Sequence, residues 1–107
     1  MNHRRGQRWL TELPIRISPR EAATPLPAQL LEWSYHGAYI HLLDWVALPG
    51  EVIGVWLPDR DTPIQAVVVH AGNHEAGLLW IDRSAWQKYL LDHPIPQFQQ
   101  GPISLAC

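Results

Sequence analysis

Residues 64–81 read IQAVVVHAGNHEAGLLWI. Two runs rich in β-branched and apolar residues, Ile64–His70 and Gly77–Ile81, flank the polar stretch Ala71–Glu75. Gly72 and Asn73 tolerate the dihedrals of a tight reversal, so the segment reads as a β-hairpin with those two residues at its tip. The same signature recurs upstream. Glu51–Leu57 is a β-rich run holding Val52, Ile53, Val55 and Trp56, bounded by Pro49-Gly50 and by the turn Asp59–Pro63. Proline presets φ and glycine accepts a positive φ, so Pro49-Gly50 marks a tight turn. Gln29–Trp33 and Ala38–Leu43 make a further strand pair around Ser34–Gly37. Leu13, Ile15 and Ile17 alternate with Pro14, Arg16 and Ser18, the period of a half-buried strand. Pro14 places the start of that strand, or an edge, at its own position. Segment 20–27, with Thr24, Pro25 and Pro27, reads as a loop.

One helix follows the strands. Ser84 and Gln87 have the spacing of a capping box, and Trp86, Tyr89, Leu90 and His93 share one face. Pro94 ends the helix, because it lacks an N–H and restricts His93. Five or six short strands and one terminal helix define an all-β domain, a small barrel or a sandwich. Most of the six tryptophans then serve as core and rim.

The 107 residues amount to one domain, and an apolar share of 47% is ordinary for a globular chain. No apolar run approaches the roughly 20 residues of a membrane span, and the Arg-rich start has no apolar region of a secretory signal. The sole cysteine is Cys107. That excludes an internal disulfide or a cysteine metal cluster and fits a reducing, cytoplasmic setting. Charge is distributed unevenly. Residues 1–20 hold five arginines against Glu12, whereas residues 21–107 hold three basic residues against nine acids. A basic arm on an acidic body points to a localised anion site and not to a DNA-binding face.

Catalytic signatures are weak. There is no Gly-rich phosphate loop and no nucleophile elbow. His74-Glu75 lacks the second histidine of a zinc-protease motif, and His70 with His74 falls short of the three or four ligands that zinc takes. Asp59 and Asp61 read as turn formers, and Cys107 has no fixed base. The expectation is a binding module with no catalytic residue, no metal and no cofactor.

Two clusters suit a ligand. In Arg4-Arg5-Gly6-Gln7-Arg8, the guanidiniums of Arg4 and Arg8 can reach one side of an extended chain within about 14 Å. Guanidinium grips phosphate bidentately, bonds the O6/N7 edge of guanine and stacks on base faces. In Glu32-Trp33-Ser34-Tyr35-His36-Gly37, Glu32 and Ser34 are two apart at a strand end and point to one face. The carboxylate can accept from guanine N1–H and N2–H₂, and the serine hydroxyl can donate to a phosphate or accept from a base. Gly37 allows a turn and close backbone approach.

Together the clusters resemble the PilZ family, bacterial domains that sense cyclic di-GMP. That family joins an Arg-x-x-x-Arg arm to an Asp/Asn-x-Ser-x-x-Gly turn on a small β-barrel followed by a helix. Arg4 and Arg8 match the arm, and Ser34 and Gly37 match the turn. Ala38-Tyr39-Ile40, Leu48-Pro49-Gly50-Glu51-Val52 and Gly77-Leu78-Leu79-Trp80 fall where the family has strands. The likeness spans roughly residues 4–93. Glu32 departs from the pattern. Its extra methylene carries the carboxylate about 1.5 Å further out than Asp, which implies a weaker guanine contact or a shifted pose.

The resemblance implies a six-stranded antiparallel barrel closed by a C-terminal helix. Residues 1–8 would be a flexible arm, 9–93 the barrel with its helix at 84–93, and 94–107 a Pro-rich extended tail. It further implies a cyclic di-GMP receptor for signal transduction, in which Arg4, Arg8 and Arg5 clamp phosphates and guanine edges. Glu32 and Ser34 would read the base, and Gly37 would hold the turn. The arm would fold onto the barrel as ligand arrives and pass the signal to a downstream protein partner. The alternative is an adaptor on the same fold that binds no nucleotide and docks through Trp86, Tyr89 or the tail. A single-stranded nucleic-acid binder is a weaker third reading, because the body is acidic.

Overall fold

The computed structural model describes residues 8–19 and 24–95. Arg4 and Arg5 of the arm, and the tail beyond Ile95, lie outside those residues. The elements are β1 (Trp9–Pro19), β2 (Leu26–Trp33), β3 (Gly37–Leu42), β4 (Val52–Trp56), β5 (Ile64–Gly72), β6 (Glu75–Trp80) and α1 (Arg83–Asp92). The strands close into one antiparallel barrel in the order β1-β2-β3-β6-β5-β4. β4 pairs with β1 to complete the ring, Ile17 facing Val55. The open choice between barrel and sandwich is thereby resolved, since the sheet closes on itself. Alternate residues of each strand fill the interior: Ile15 and Ile17, Ala28 and Leu30, Ile40 and Leu42, Ile53 and Val55, Ile64, Ala66 and Val68.

Two prolines depart from expectation. β1 starts at Trp9 and carries Pro14 inside it, and β2 starts at Leu26 and includes Pro27, which the sequence places in a loop. Both positions have a neighbouring strand on one side only. β4 pairs with β1 from Arg16 onward, and β3 pairs with β2 from Ala28 onward. A proline that faces no partner on one side loses no ladder bond there.

The turns are partly as expected. Gly50 has φ 94°, and Asp59 has φ 63°. At the β5–β6 hairpin, however, Gly72 still pairs with Glu75, and the left-handed residue is His74 with φ 58°. The tip is therefore Asn73-His74, one residue later than expected.

α1 is capped by Asp82 and not by Ser84. The Asp82 carboxylate accepts from the Ala85 N–H at 3.1 Å. Asp is as good a cap as Ser, and the N–H groups of Ile81 and Asp82 both reach the Gln65 carbonyl, at 2.9 and 3.5 Å. Those bonds fix the chain so that the helix starts one residue earlier. The apolar face of α1 then seals one end of the barrel. Trp86 is 0% exposed and Tyr89 5%, so neither is a docking residue, contrary to the adaptor expectation. Trp86 Nε1–H donates to the Ser34 carbonyl at 2.8 Å, and the Tyr89 hydroxyl to the Pro58 carbonyl at 3.0 Å. Ile95, which the sequence assigns to the tail, is buried with the core. Among the described residues no helix is long and apolar enough to cross a membrane.

Candidate functional site: a groove on the outer barrel face

The groove begins with a strand irregularity. Along β2, Ala28 and Leu30 point inward, but so does Trp33, three residues on. The parity changes because Leu31 is an extra residue: Leu30 faces Ile40 while Glu32 faces the very next residue back, Tyr39. Such a bulge re-aims the side chains that follow it. Without it Glu32 would follow Leu30 into the barrel, where an unpaired carboxylate is costly. With it Glu32 stands on the outer face and Trp33 fills the core.

Glu32 is met there by Arg8, Nη1 to Oε1 at 3.3 Å. The last residue of the arm is thus already laid against the barrel, and it is anchored a second way. Trp9, next in the chain, stacks on Trp33 with ring centroids 4.7 Å apart.

Ser34 follows directly and builds the turn. Its hydroxyl accepts from the backbone N–H groups of His36 and Gly37 at 3.2 and 3.1 Å. The Ser34 N–H in turn donates to the Gly37 carbonyl at 2.9 Å. A serine hydroxyl bonding the backbone two and three residues on is a local turn device. The sequence reading assigned Ser34 to ligand contact and missed this work. Gly37 is required for a different reason than a left-handed turn. It pairs with Leu79 at the start of β3, and a Cβ there would collide with the Leu78 carbonyl oxygen. Close approach of β3 to β6 demands glycine.

These residues line one open groove of about 250 Å³ on the outer face of β2, β3, β6 and β5. Arg8, Glu32, Ser34 and Gly37 line it together with Tyr39, Val69, His70 and Leu79; Glu32 faces Tyr39 and Gly37 faces Leu79 across neighbouring strands. Of the second group the sequence singled out His70 alone, as half of an incomplete zinc pair, and none as a ligand contact. Tyr39 was accessible to it, since Ile40 and Leu42 alternate inward and leave Tyr39 and His41 on the other face. The Tyr39 hydroxyl donates to Glu75 Oε1 at 2.6 Å. That bond to a carboxylate holds the phenol above its usual value of 10.0, helped by partial burial and by the charges of Glu75 and Glu32.

A second groove of about 490 Å³ lies between the barrel and α1, lined by Trp33, Tyr35, Leu90, Leu91 and Ile95 among others. Trp33 is the wall common to both grooves.

Comparison with protein families finds no family that matches the chain, and no curated protein matches it. Solved structures do. The crystal structure of the PilZ domain of CeSA from a cellulose synthesizing bacterium superposes with a TM-score of 0.61 at 14% identity, covering 80% of this chain and 98% of that one. The Bacillus subtilis inhibitor of motility, MotI/DgrA, gives a TM-score of 0.57 at 18% identity over 86% of this chain. Only 51% of MotI/DgrA is covered, so this chain corresponds to about half of it. At such identities the likeness is one of fold: the chain has a PilZ-like fold.

Proposed function

We propose that the domain is a receptor module that binds cyclic di-GMP in the groove on its outer face. The observation that carries this reading is convergence. Arg8 and the Glu32/Ser34/Gly37 turn come from separate parts of the chain, yet they line one groove on a PilZ-like barrel. Arg8 supplies a guanidinium for phosphate or for the O6/N7 edge of guanine. Glu32 supplies an acceptor for guanine N1–H and N2–H₂. Ser34 contributes by fixing the turn, and Gly37 by letting the strands close beneath it. Arg4 and Arg5 would complete the clamp from the arm. The reading involves no catalytic step. Its test is calorimetric titration with cyclic di-GMP, GTP, GMP and cyclic AMP. Saturable heat from the cyclic dinucleotide and none from the others is expected, and a flat titration with cyclic di-GMP overturns the reading.

A protein adaptor remains the second reading, on one observation: Leu91 of α1 is 83% exposed beside the apolar groove. It gains ground only if the titration is flat.

A further inference from the structure

Two strand slips, at Leu31 and at Val69, shape the outer groove on one side of the barrel. On the other side β2, β1 and β4 keep an even register from Leu13 onward. Pro27, Arg16 and Trp56 there pair across the three strands and stand in one outward row. β4 stops at Trp56 and β3 at Leu42, whereas β1 and β2 run on past them. At that step lies an open groove of about 420 Å³, walled by Pro14, Pro27, Leu43, Trp56 and Pro58 around Arg16.

Its walls are rigid. A proline ring has no rotamer freedom to lose. The Trp56 indole is held by its own N–H, which donates to Ser18 Oγ at 3.1 Å. Gly54 keeps room for that bond, since a Cβ there would sit 2.8 Å from Ser18 Oγ. A ligand lying on these walls therefore orders little beyond Arg16, and binding to such a preformed surface costs little entropy.

Charge decides the class of ligand. Residues 21–107 carry an excess of acids, yet Asp and Glu are not among the described residues lining this groove. Arg16 is exposed and meets no ion-pair or hydrogen-bond partner among the described residues. Arg8, by contrast, already meets Glu32. One unpaired guanidinium matches one negative charge, and its planar fork fits a carboxylate bidentately. A phosphate monoester carries nearly two charges at neutral pH and would leave one unmatched. Trp56 and the prolines offer flat apolar faces to a ring.

We infer that this groove is a separate ligand site for an aromatic carboxylate. The ring lies against Trp56 and the prolines, and Arg16 grips the carboxylate. Among the described residues it shares no lining residue with the outer groove, so it neither uses nor requires cyclic di-GMP.

The test follows amide and indole N–H shifts of the isotope-labelled chain during titration with indole-3-acetate, acetate, indole and GMP. Indole-3-acetate should give saturable shifts centred on Arg16 and the Trp56 indole. Acetate and indole each carry half of the ligand and should bind at least about tenfold more weakly, for want of ring burial or of the charged contact. GMP should give no saturable shift there. Arg16→Gln should weaken indole-3-acetate at least about tenfold, and Trp56→Leu about two- to tenfold. Thermal melts check that both fold, and Arg16→Gln decides alone if Trp56→Leu does not. No saturable shift with indole-3-acetate, shifts centred instead on Leu90 and Leu91, equal binding of acetate, or unchanged affinity in Arg16→Gln overturns the site. Saturation by GMP at the same residues overturns the assignment to a carboxylate.

Discussion

Arg8 and Glu32 illustrate how little stability the candidate site needs from its charged residues. Their side chains are 49% and 23% exposed, and ion pairs in that setting contribute about 0–1 kcal/mol. Arg8→Ala should therefore leave the melting temperature of the free protein nearly unchanged. Its effect on binding should be larger. A hydrogen bond to a charged group is worth about 1.5–3 kcal/mol, so affinity for cyclic di-GMP should drop at least about tenfold. Unchanged affinity in a wild type that binds would remove Arg8 from the site. Gly37 is the converse case, structural first. Because a Cβ there meets backbone oxygen, which cannot rotate away, Gly37→Ala should cost about 1–3 kcal/mol, the usual range for forced overpacking. A thermal melt indistinguishable from wild type would contradict the close-approach argument. Tyr39 carries a pH prediction. Its pKa is raised by the bond to Glu75 and then by burial and nearby carboxylates; Tyr89 is raised too, by burial and by Asp59. In each case the folded state holds its proton more tightly than the unfolded chain. The resulting stabilisation is complete below the ordinary phenol value and is lost as pH rises through the raised folded value. Denaturant titrations along an alkaline series should show stability falling, and Tyr39→Phe should flatten that slope. An identical slope in the variant would mean that the Glu75 bond is not what holds the proton.

At the scale of elements, the cap of α1 separates two readings of the same segment. If Asp82 is the cap, Asp82→Ala should cost about 1 kcal/mol and Ser84→Ala almost nothing; the reverse order would restore the capping box at Ser84. The sequence pattern was informative wherever alternation and turn chemistry are local. The β5–β6 hairpin, the Pro49-Gly50 turn and the alternating apolar residues of β1 were all legible. What it hid depends on pairing between distant strands. Pro14 and Pro27 look like strand breakers until the neighbours of β1 and β2 are known. The extra residues at Leu31 and Val69 are invisible for the same reason, because a bulge is defined by the opposite strand. Each bulge also decides whether a polar side chain faces solvent, so half of the groove was hidden with them. Glu32 and Ser34 were found through spacing, but the turn-building role of Ser34 was not. A hydroxyl that bonds ligand and one that bonds its own backbone have the same sequence signature. His70 read as a turn residue and as half of an incomplete zinc pair.

Over the whole molecule, barrel closure and the aromatic cluster make the two grooves parts of one body. Trp33 stacks on Trp9 and meets Trp86 edge to face, with centroids 5.9 Å apart. Trp86 stacks on Trp80 at 4.3 Å and bonds the Ser34 carbonyl. The helix is thus tied directly to the turn that frames the candidate site, and Trp9, next to the arm, is tied to Trp33. The central claim is that cyclic di-GMP occupies the outer groove and not the apolar groove beside α1. Amide chemical-shift mapping during a cyclic di-GMP titration tests it most directly, because it reports where the ligand lies as well as whether it binds. The account predicts saturable shifts concentrated at Arg8, Glu32, the Ser34–Tyr39 segment, His70 and Gly77, with little change at Leu90 and Leu91. An unchanged spectrum at saturating ligand, or shifts centred on Leu90 and Leu91, would contradict it.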